Sequence, residues 1–240
     1  MTEPVISDLQ LNRHARVSVT RTGAEANPVL IVDEVLADPA ALVDFAATAA
    51  VFDAPAPGSY YPGLNAHLPA NYLAPVLGAL RTPMAALYGI RPEALLPAFG
   101  FLGLTVTPPD RLAPLQRIPH VDSSNAHAFA AVHYLCPPGF GGTGLYRHKA
   151  TGFETISQIR SVPYRRHCQA EGGPGAANPQ ADFYEEIAVI EPVFNRLVLY
   201  RASQLHAPLI RVGDALSADP RRGRLTANLF INTPDLTHSS

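Results

Sequence analysis

Apolar positions along the chain follow two spacings, and the switch between them falls near residue 97. Ala15 to Thr20 and Pro28 to Val35 are short β-branched stretches that alternate or run apolar, as strands do. After Asp38-Pro39 the period lengthens. Leu42, Val43, Phe45, Ala46 and Ala49 recur at helical spacing, with Asp38 suited to cap the helix and Pro39 to open it. A loop rich in Pro, Gly and Tyr runs from Ala54 to Pro69, where Tyr60-Tyr61-Pro62-Gly63 satisfies turn chemistry and also offers aromatic rings to a pocket. Asn71 is expected to start a second amphipathic helix, carrying Leu73, Val76, Leu77, Leu80, Met84 and Leu87.

Beyond residue 97 the pattern is one of short strands between turn signals. Phe99 to Thr107 reads as a strand ended by Pro108-Pro109, and Ala128 to Cys136 as the next. Gly139 to Gly144 turns the chain and Leu145 to His148 resumes it. Residues 149 to 181, with Glu171-Gly172-Gly173-Pro174-Gly175 inside, are less regular and read as an insertion. Ile187 to Ile190, Arg196 to Tyr200, His206 to Val212 and Arg224 to Asn232 close the chain as strands. Helices first and many short strands after argue for an α+β protein whose β part is a barrel or a two-sheet jelly roll. The expected organisation is one domain over 1–240. Residues 1–96 would supply supporting strands and helices, and 97–233 the core.

Composition narrows the function classes. A chain of 240 residues with 47% hydrophobic residues can bury a sizeable core. Its 18 basic and 20 acidic residues are nearly balanced and form no long basic run, so nucleic acid is not an expected partner. No stretch is apolar enough to suggest a membrane span, and the N-terminus lacks a basic region followed by an apolar core, so the expected location is the cytoplasm. Cys136 and Cys168 belong to no C-x-x-C pair and read as small, reduced apolar residues. Only Lys149 among the basic residues is lysine, and Ala, Pro and Gly are abundant, a hint of a GC-rich bacterial source.

The chemistry concentrates in Ile118-Pro119-His120-Val121-Asp122-Ser123-Ser124. An x between His120 and Asp122 puts both donors on one side of an extended segment. A third donor returning at His206 would complete two imidazoles and one carboxylate on one face of an ion, the arrangement that serves dioxygen chemistry at non-haem Fe(II). The competing reading, that these are turn and surface residues that never meet, applies to any isolated His-x-Asp. His133 should face away from its neighbour Tyr134. His127 and His148 read as polar residues at strand ends, and His14, His67, His167 and His238 as loop or terminal residues.

In order along the chain come His120-x-Asp122, Val132-His133-Tyr134-Leu135, Gly141-Gly142-Thr143-Gly144-Leu145-Tyr146, Glu191-Pro192-x-Phe194-Asn195-Arg196-Leu197-Val198-Leu199-Tyr200, His206 and Arg224-x-Thr226. This series resembles the prolyl-hydroxylase branch of the 2-oxoglutarate/Fe(II) dioxygenases over roughly residues 97 to 233. The resemblance implies a double-stranded β-helix (jelly roll) with N-terminal supporting helices. It implies Fe(II) held by His120, Asp122 and His206, with 2-oxoglutarate and O2 as co-substrates. Arg224 would anchor the far carboxylate of 2-oxoglutarate, a role that suits a permanently charged, bidentate guanidinium, with Thr226 and Tyr134 as hydroxyl partners. Arg224 lies eighteen positions after His206, farther than in many relatives, which leaves Arg222 and Arg221 as rivals. The primary substrate would be a small molecule or a peptide side chain. The tyrosine loop and the 149–181 segment are candidate lids.

Two other classes stay open on the residues: a jelly-roll protein that binds metal as a sensor or scaffold, and a cupin-like metalloenzyme that does not use 2-oxoglutarate. Gly139-Phe140-Gly141-Gly142-Thr143-Gly144 satisfies the G-x-G-x-x-G pattern of dinucleotide sites, but it leads into a strand and follows Pro137-Pro138, so a turn between sheets is the better reading. No nucleophile elbow or phosphate loop occurs.

Overall fold

The computed structural model describes residues 4–56, 58–91, 93, 96–171 and 181–233, Glu171 by its backbone only. The strands are β1 (Arg16–Thr22), β2 (Asn27–Asp33), β3 (Gly63–His67), β4 (Ala98–Thr105), β5 (Ala128–Tyr134), β6 (Thr143–His148), β7 (Tyr184–Ile190), β8 (Arg196–Arg201), β9 (His206–Pro208) and β10 (Arg224–Asn232). The α-helices are α1 (Pro39–Thr48), α2 (Leu73–Tyr88) and α3 (Gln158–Glu171). Seven strands form a major sheet in the order β1-β2-β8-β5-β10-β4-β3, and three form a minor sheet, β7-β6-β9. Every pairing between strands is antiparallel.

Strand periodicity sorts the major sheet into two faces. Leu30, Val32, Leu102, Leu104, Phe129, Ala131, Leu197, Leu199, Leu225 and Ala227 point one way, into a core shared with α1 and α2. Their neighbours Val29, Ala130, Tyr134, Val198 and Tyr200 point the other way, towards Leu145 and Ile190 of the minor sheet. The protein is thus a mixed α/β structure in three layers, helices on a large antiparallel sheet on a small one. In α2 the stripe Val76, Leu80, Met84 recurs every four residues and is fully buried, worth roughly 1.5–3 kcal/mol per side chain.

Several expectations hold in detail and others shift. Asp38 caps α1 by accepting from the Ala41 N–H, with Pro39 in the first turn. Asn71 does not cap α2. Its side chain instead accepts from the Ile6 N–H and donates to the Ile6 carbonyl, tying the N-terminal segment down. The loop from Ala54 to Pro69 contains β3, which pairs with β4 although Gly63 and Asn65 make it a poor strand by propensity. The strand expected from His206 to Val212 is only the three residues of β9. The segment 149–181 holds α3, whose Tyr164 and Cys168 pack on Ile118, Tyr184 and Leu205; its residues 172–180 lie outside those described. The 139–144 stretch carries the chain from the major sheet to the minor one and opens no helix. Cys136 and Cys168 are both buried, and among the described residues neither forms a disulfide. Among the described residues no helix is long and apolar enough to cross a membrane.

Candidate metal centre and its cavity

His120 and His206 are paired by an isolated antiparallel bridge. Each N–H donates to the other's carbonyl at 2.9 Å, so the two residues are directly opposite and their side chains rise on the same side. The Asp122 N–H donates to the Ala202 carbonyl at 2.9 Å, which brings the next alternate residue to the same place. Buried Ile118 and Leu205 flank the two histidines and anchor both segments in the cluster under α3.

The donor atoms of His120, Asp122 and His206 all lie within 4.8 Å of one another. The carboxylate stands between the rings, Oδ1 3.7 Å from His120 Nε2 and Oδ2 3.4 Å from His206 Nε2. Donors at neighbouring corners around a first-row ion with bonds of about 2.1 Å would be about 3 Å apart, so the three side chains would have to draw together on binding one. His206 Nδ1 lies 2.8 Å from the Gln204 carbonyl. A carbonyl only accepts, so Nδ1 carries the hydrogen and Nε2 presents its lone pair, the orientation that metal-bound imidazoles usually show. Burial, and then the neighbouring His206, hold the His120 pKa well below its ordinary value, which favours the neutral imidazole there. Burial raises the Asp122 carboxyl against a smaller opposing effect of His206. Asp122 as a residue is exposed, but its side chain is turned inward and only 18% exposed. Two imidazoles and a desolvated carboxylate facing one point fit a divalent cation. Tyr60 stacks on the His120 ring at 4.6 Å.

The three candidate arginines differ in placement. Arg221 and Arg222 are exposed, and Arg221 pairs with Asp44 on the surface. Arg224 is 3% exposed and lines the same cavity as the triad. Its Nε donates to the Gly141 carbonyl and Nη2 to the Gly142 carbonyl, each at 2.9 Å, and Nη1 reaches Thr105 Oγ1 at 3.3 Å. Among the described residues it has no carboxylate partner. The two carbonyls reach it because a Cβ at Gly141 would stand 2.2 Å from the Leu209 carbonyl oxygen and one at Gly142 1.8 Å from that of Ile190. Only glycine permits that approach. A Cβ at Gly103 would likewise meet the Tyr61 hydroxyl at 2.4 Å, so glycine lets that phenol lie on the sheet, 3.3 Å from Thr105 Oγ1.

Tyr134 and Thr226 lie on the same strand faces as the cavity residues, but neither lines the cavity itself. The Tyr134 hydroxyl is 2.6 Å from Thr143 Oγ1, so it is Thr143, between the tyrosine and the cavity, that faces inward. Thr226 is 1% exposed, donates to the Gly103 carbonyl and accepts from Asn228 Nδ2 at 3.0 Å. The cavity holds about 360 Å³ between the sheets. His133 faces the helices: its Nδ1 meets the Tyr72 hydroxyl at 2.8 Å and its Nε2 Asn195 Oδ1 at 3.1 Å. Asn195 also accepts from the Leu36 N–H and donates to the Leu36 carbonyl, so this motif asparagine is structural. Thr105, Thr143 and the Gln204 carbonyl were not legible as site groups, because only strand register puts Thr105 opposite Arg224 and only the 201–204 turn aims the carbonyl. Tyr60 and Tyr61 were legible from their loop composition.

Residues 13–231 match a family of unknown function (DUF6445), and the chain belongs to that family. No curated protein matches it. Among solved structures, an N-substituted L-amino acid dioxygenase from Burkholderia ambifaria AMMD is similar at 12% identity and a TM-score of 0.42, over 93% of this chain and 100% of that one. HygX from Streptomyces hygroscopicus, solved with nickel and 2-oxoglutarate bound, is similar at 11% identity and a TM-score of 0.40, over 87% of this chain and 84% of that one. The Burkholderia enzyme in complex with alpha-KG gives 10% identity and a TM-score of 0.35, over 92% of this chain and 98% of that one.

Proposed function

We propose that this family member is an Fe(II)- and 2-oxoglutarate-dependent oxygenase of the prolyl-hydroxylase-like branch, built on a double-stranded β-helix, that hydroxylates an unactivated C–H bond of a small molecule or peptide side chain. One observation carries the reading. A His-Asp-His donor set and a buried guanidinium without a carboxylate partner among the described residues open into the same cavity. A metal-binding scaffold has no use for the second feature, and a buried cation without a counter-charge costs several kcal/mol.

His120, Asp122 and His206 would hold the metal, and Arg224 would take the far carboxylate of 2-oxoglutarate with Thr105 and Tyr61 at its side. The chemistry supplied by bound Fe(II) is O2 activation coupled to decarboxylation of the 2-oxo acid. In balance, R–H, O2 and 2-oxoglutarate give R–OH, succinate and CO2. The protein's own groups orient and exclude. The Gln204 carbonyl fixes the His206 tautomer, the Gly141 and Gly142 carbonyls fix the guanidinium plane, and Tyr60 covers His120. The proposed setting is the cytoplasm, with nucleic acid and membranes excluded as partners.

Anaerobic titration with Fe(II) and then 2-oxoglutarate tests the reading. The expected result is a visible metal-to-ligand absorption band that Asp122→Ala abolishes. A protein that binds Fe(II) but gives no band and releases no succinate would be a sensor or scaffold instead.

A further inference from the structure

We propose that the substrate of this site, on the oxygenase reading above, presents an uncharged aromatic group that docks on a ladder of phenylalanines running out of the cavity along β4 and β10. The ladder begins at Tyr61, whose ring meets Phe101 edge-on at 5.5 Å. Phe101 stacks with Phe230 at 6.1 Å, and Phe230 with Phe99 at 5.0 Å and 19° between planes. Register places these rings on the cavity face: Phe99 opposes Phe230 and Phe101 opposes Asn228, in the same alternation as Thr105 opposite Arg224. Tyr61, Phe101 and Phe230 line the cavity, and Phe99 is 61% exposed beyond it.

Two features of the surface select the ligand chemistry. The rings are continuous from the Arg224 cradle to solvent, and an exposed stack joined to a site marks a binding surface more than a packing accident. Among the described residues, the cavity lining carries no charged side chain outside the triad and Arg224; its other polar groups include Ser59, Asn65 and Asn228. His67 opposes Phe101 on β3 but lies outside the lining. With the triad and Arg224 engaged by metal and 2-oxoglutarate, nothing remains to neutralise a charged substrate group, whose burial would go uncompensated. A flat, neutral ring can instead stack in offset or edge-on geometry. The amides of Asn65 and Asn228 would serve a hydroxyl or amide at its rim.

The test is an NMR titration of protein loaded with Zn(II) and 2-oxoglutarate, using benzyl alcohol, benzylamine, benzoate and 4-phenylbenzyl alcohol as probes. Benzyl alcohol is expected to bind at least about fivefold more tightly than either charged analogue, and Phe230→Ala to weaken it by about tenfold. Phe99→Ser, a surface change that puts folding at little risk, is expected to weaken the biphenyl probe severalfold and leave benzyl alcohol unchanged. Equal binding of all probes, or indifference of the biphenyl to Phe99→Ser, overturns the ladder even where the metal and 2-oxoglutarate bind. Ring binding by metal-free protein that also depends on Phe99 and Phe230, in a protein that takes up no 2-oxoglutarate, would uphold the ladder and refute the oxygenase reading.

Discussion

Arg224→Met separates folding from co-substrate binding. Arg224 is 3% exposed, and its guanidinium meets two backbone carbonyls and one hydroxyl, but no carboxylate among the described residues. Methionine fills much of the same volume. Its substitution leaves the Gly141 and Gly142 carbonyls short of a donor, at about 1–3 kcal/mol each. It also removes a buried charge whose desolvation costs several kcal/mol. The terms oppose one another and are of one size, so the variant without ligand is expected within about 2 kcal/mol of the parent. Binding is different, because nothing offsets the lost contact. A carboxylate losing its buried guanidinium partner forfeits about 2–5 kcal/mol, and the middle of that range is roughly a hundredfold or more in Kd. The assay is thermal melting with Zn(II) across a range of 2-oxoglutarate concentrations. The parent should gain about 2.7 kcal/mol at a hundred times its Kd, and the variant almost nothing at the same concentration. A variant Kd within about threefold of the parent's would refute the assignment of Arg224, and so would a variant without ligand that fails to fold.

Other outcomes follow from single side chains. Burial raises the Asp122 carboxyl, so the folded protein holds its proton more firmly than the unfolded chain and the metal-free protein loses stability as pH rises through the carboxylate range. Asp122→Asn should therefore melt higher than the metal-free parent at pH 7 while losing Fe(II) binding, and a lower melting temperature would contradict this. His133 has the opposite sign. Burial lowers it to about 4 against the hydrogen bond it makes to Asn195 Oδ1, so its contribution is present above the ordinary pKa of 6.5 and fades as pH falls towards 4. That loss amounts to about 3 kcal/mol, and urea denaturation should show a smaller loss over this interval in His133→Gln. Gly142→Ala drives a Cβ into the Ile190 carbonyl oxygen. A loss of at least about 2 kcal/mol is expected in chemical denaturation, with weaker 2-oxoglutarate binding because a carbonyl on Arg224 moves.

The local signals in the sequence were strong where the cause is local. Asp38-Pro39 starts α1 because a carboxylate can reach an N–H two or three residues on whatever lies elsewhere, and the alternation in Ala128 to Tyr134 follows from the strand period alone. His-x-Asp and a later histidine were legible because ligand types and spacing are properties of the chain. Their meeting was not, since it depends on the bridge between His120 and His206, which joins segments 86 residues apart. Separating Arg224 from Arg222 needed the start of β10, which carries Arg224 into the sheet and leaves Arg222 in the exposed turn before it. Tyr134 and Thr226 had suitable hydroxyls on the right strand faces, yet Thr143 lines the cavity and Thr105 meets the guanidinium, because which residue stands opposite which is set by pairing across strands and not by order along the chain. The sequence by itself determined which residues could serve a metal and a carboxylate; the tertiary structure decided which of them share a cavity, since convergence is a property of paired backbones.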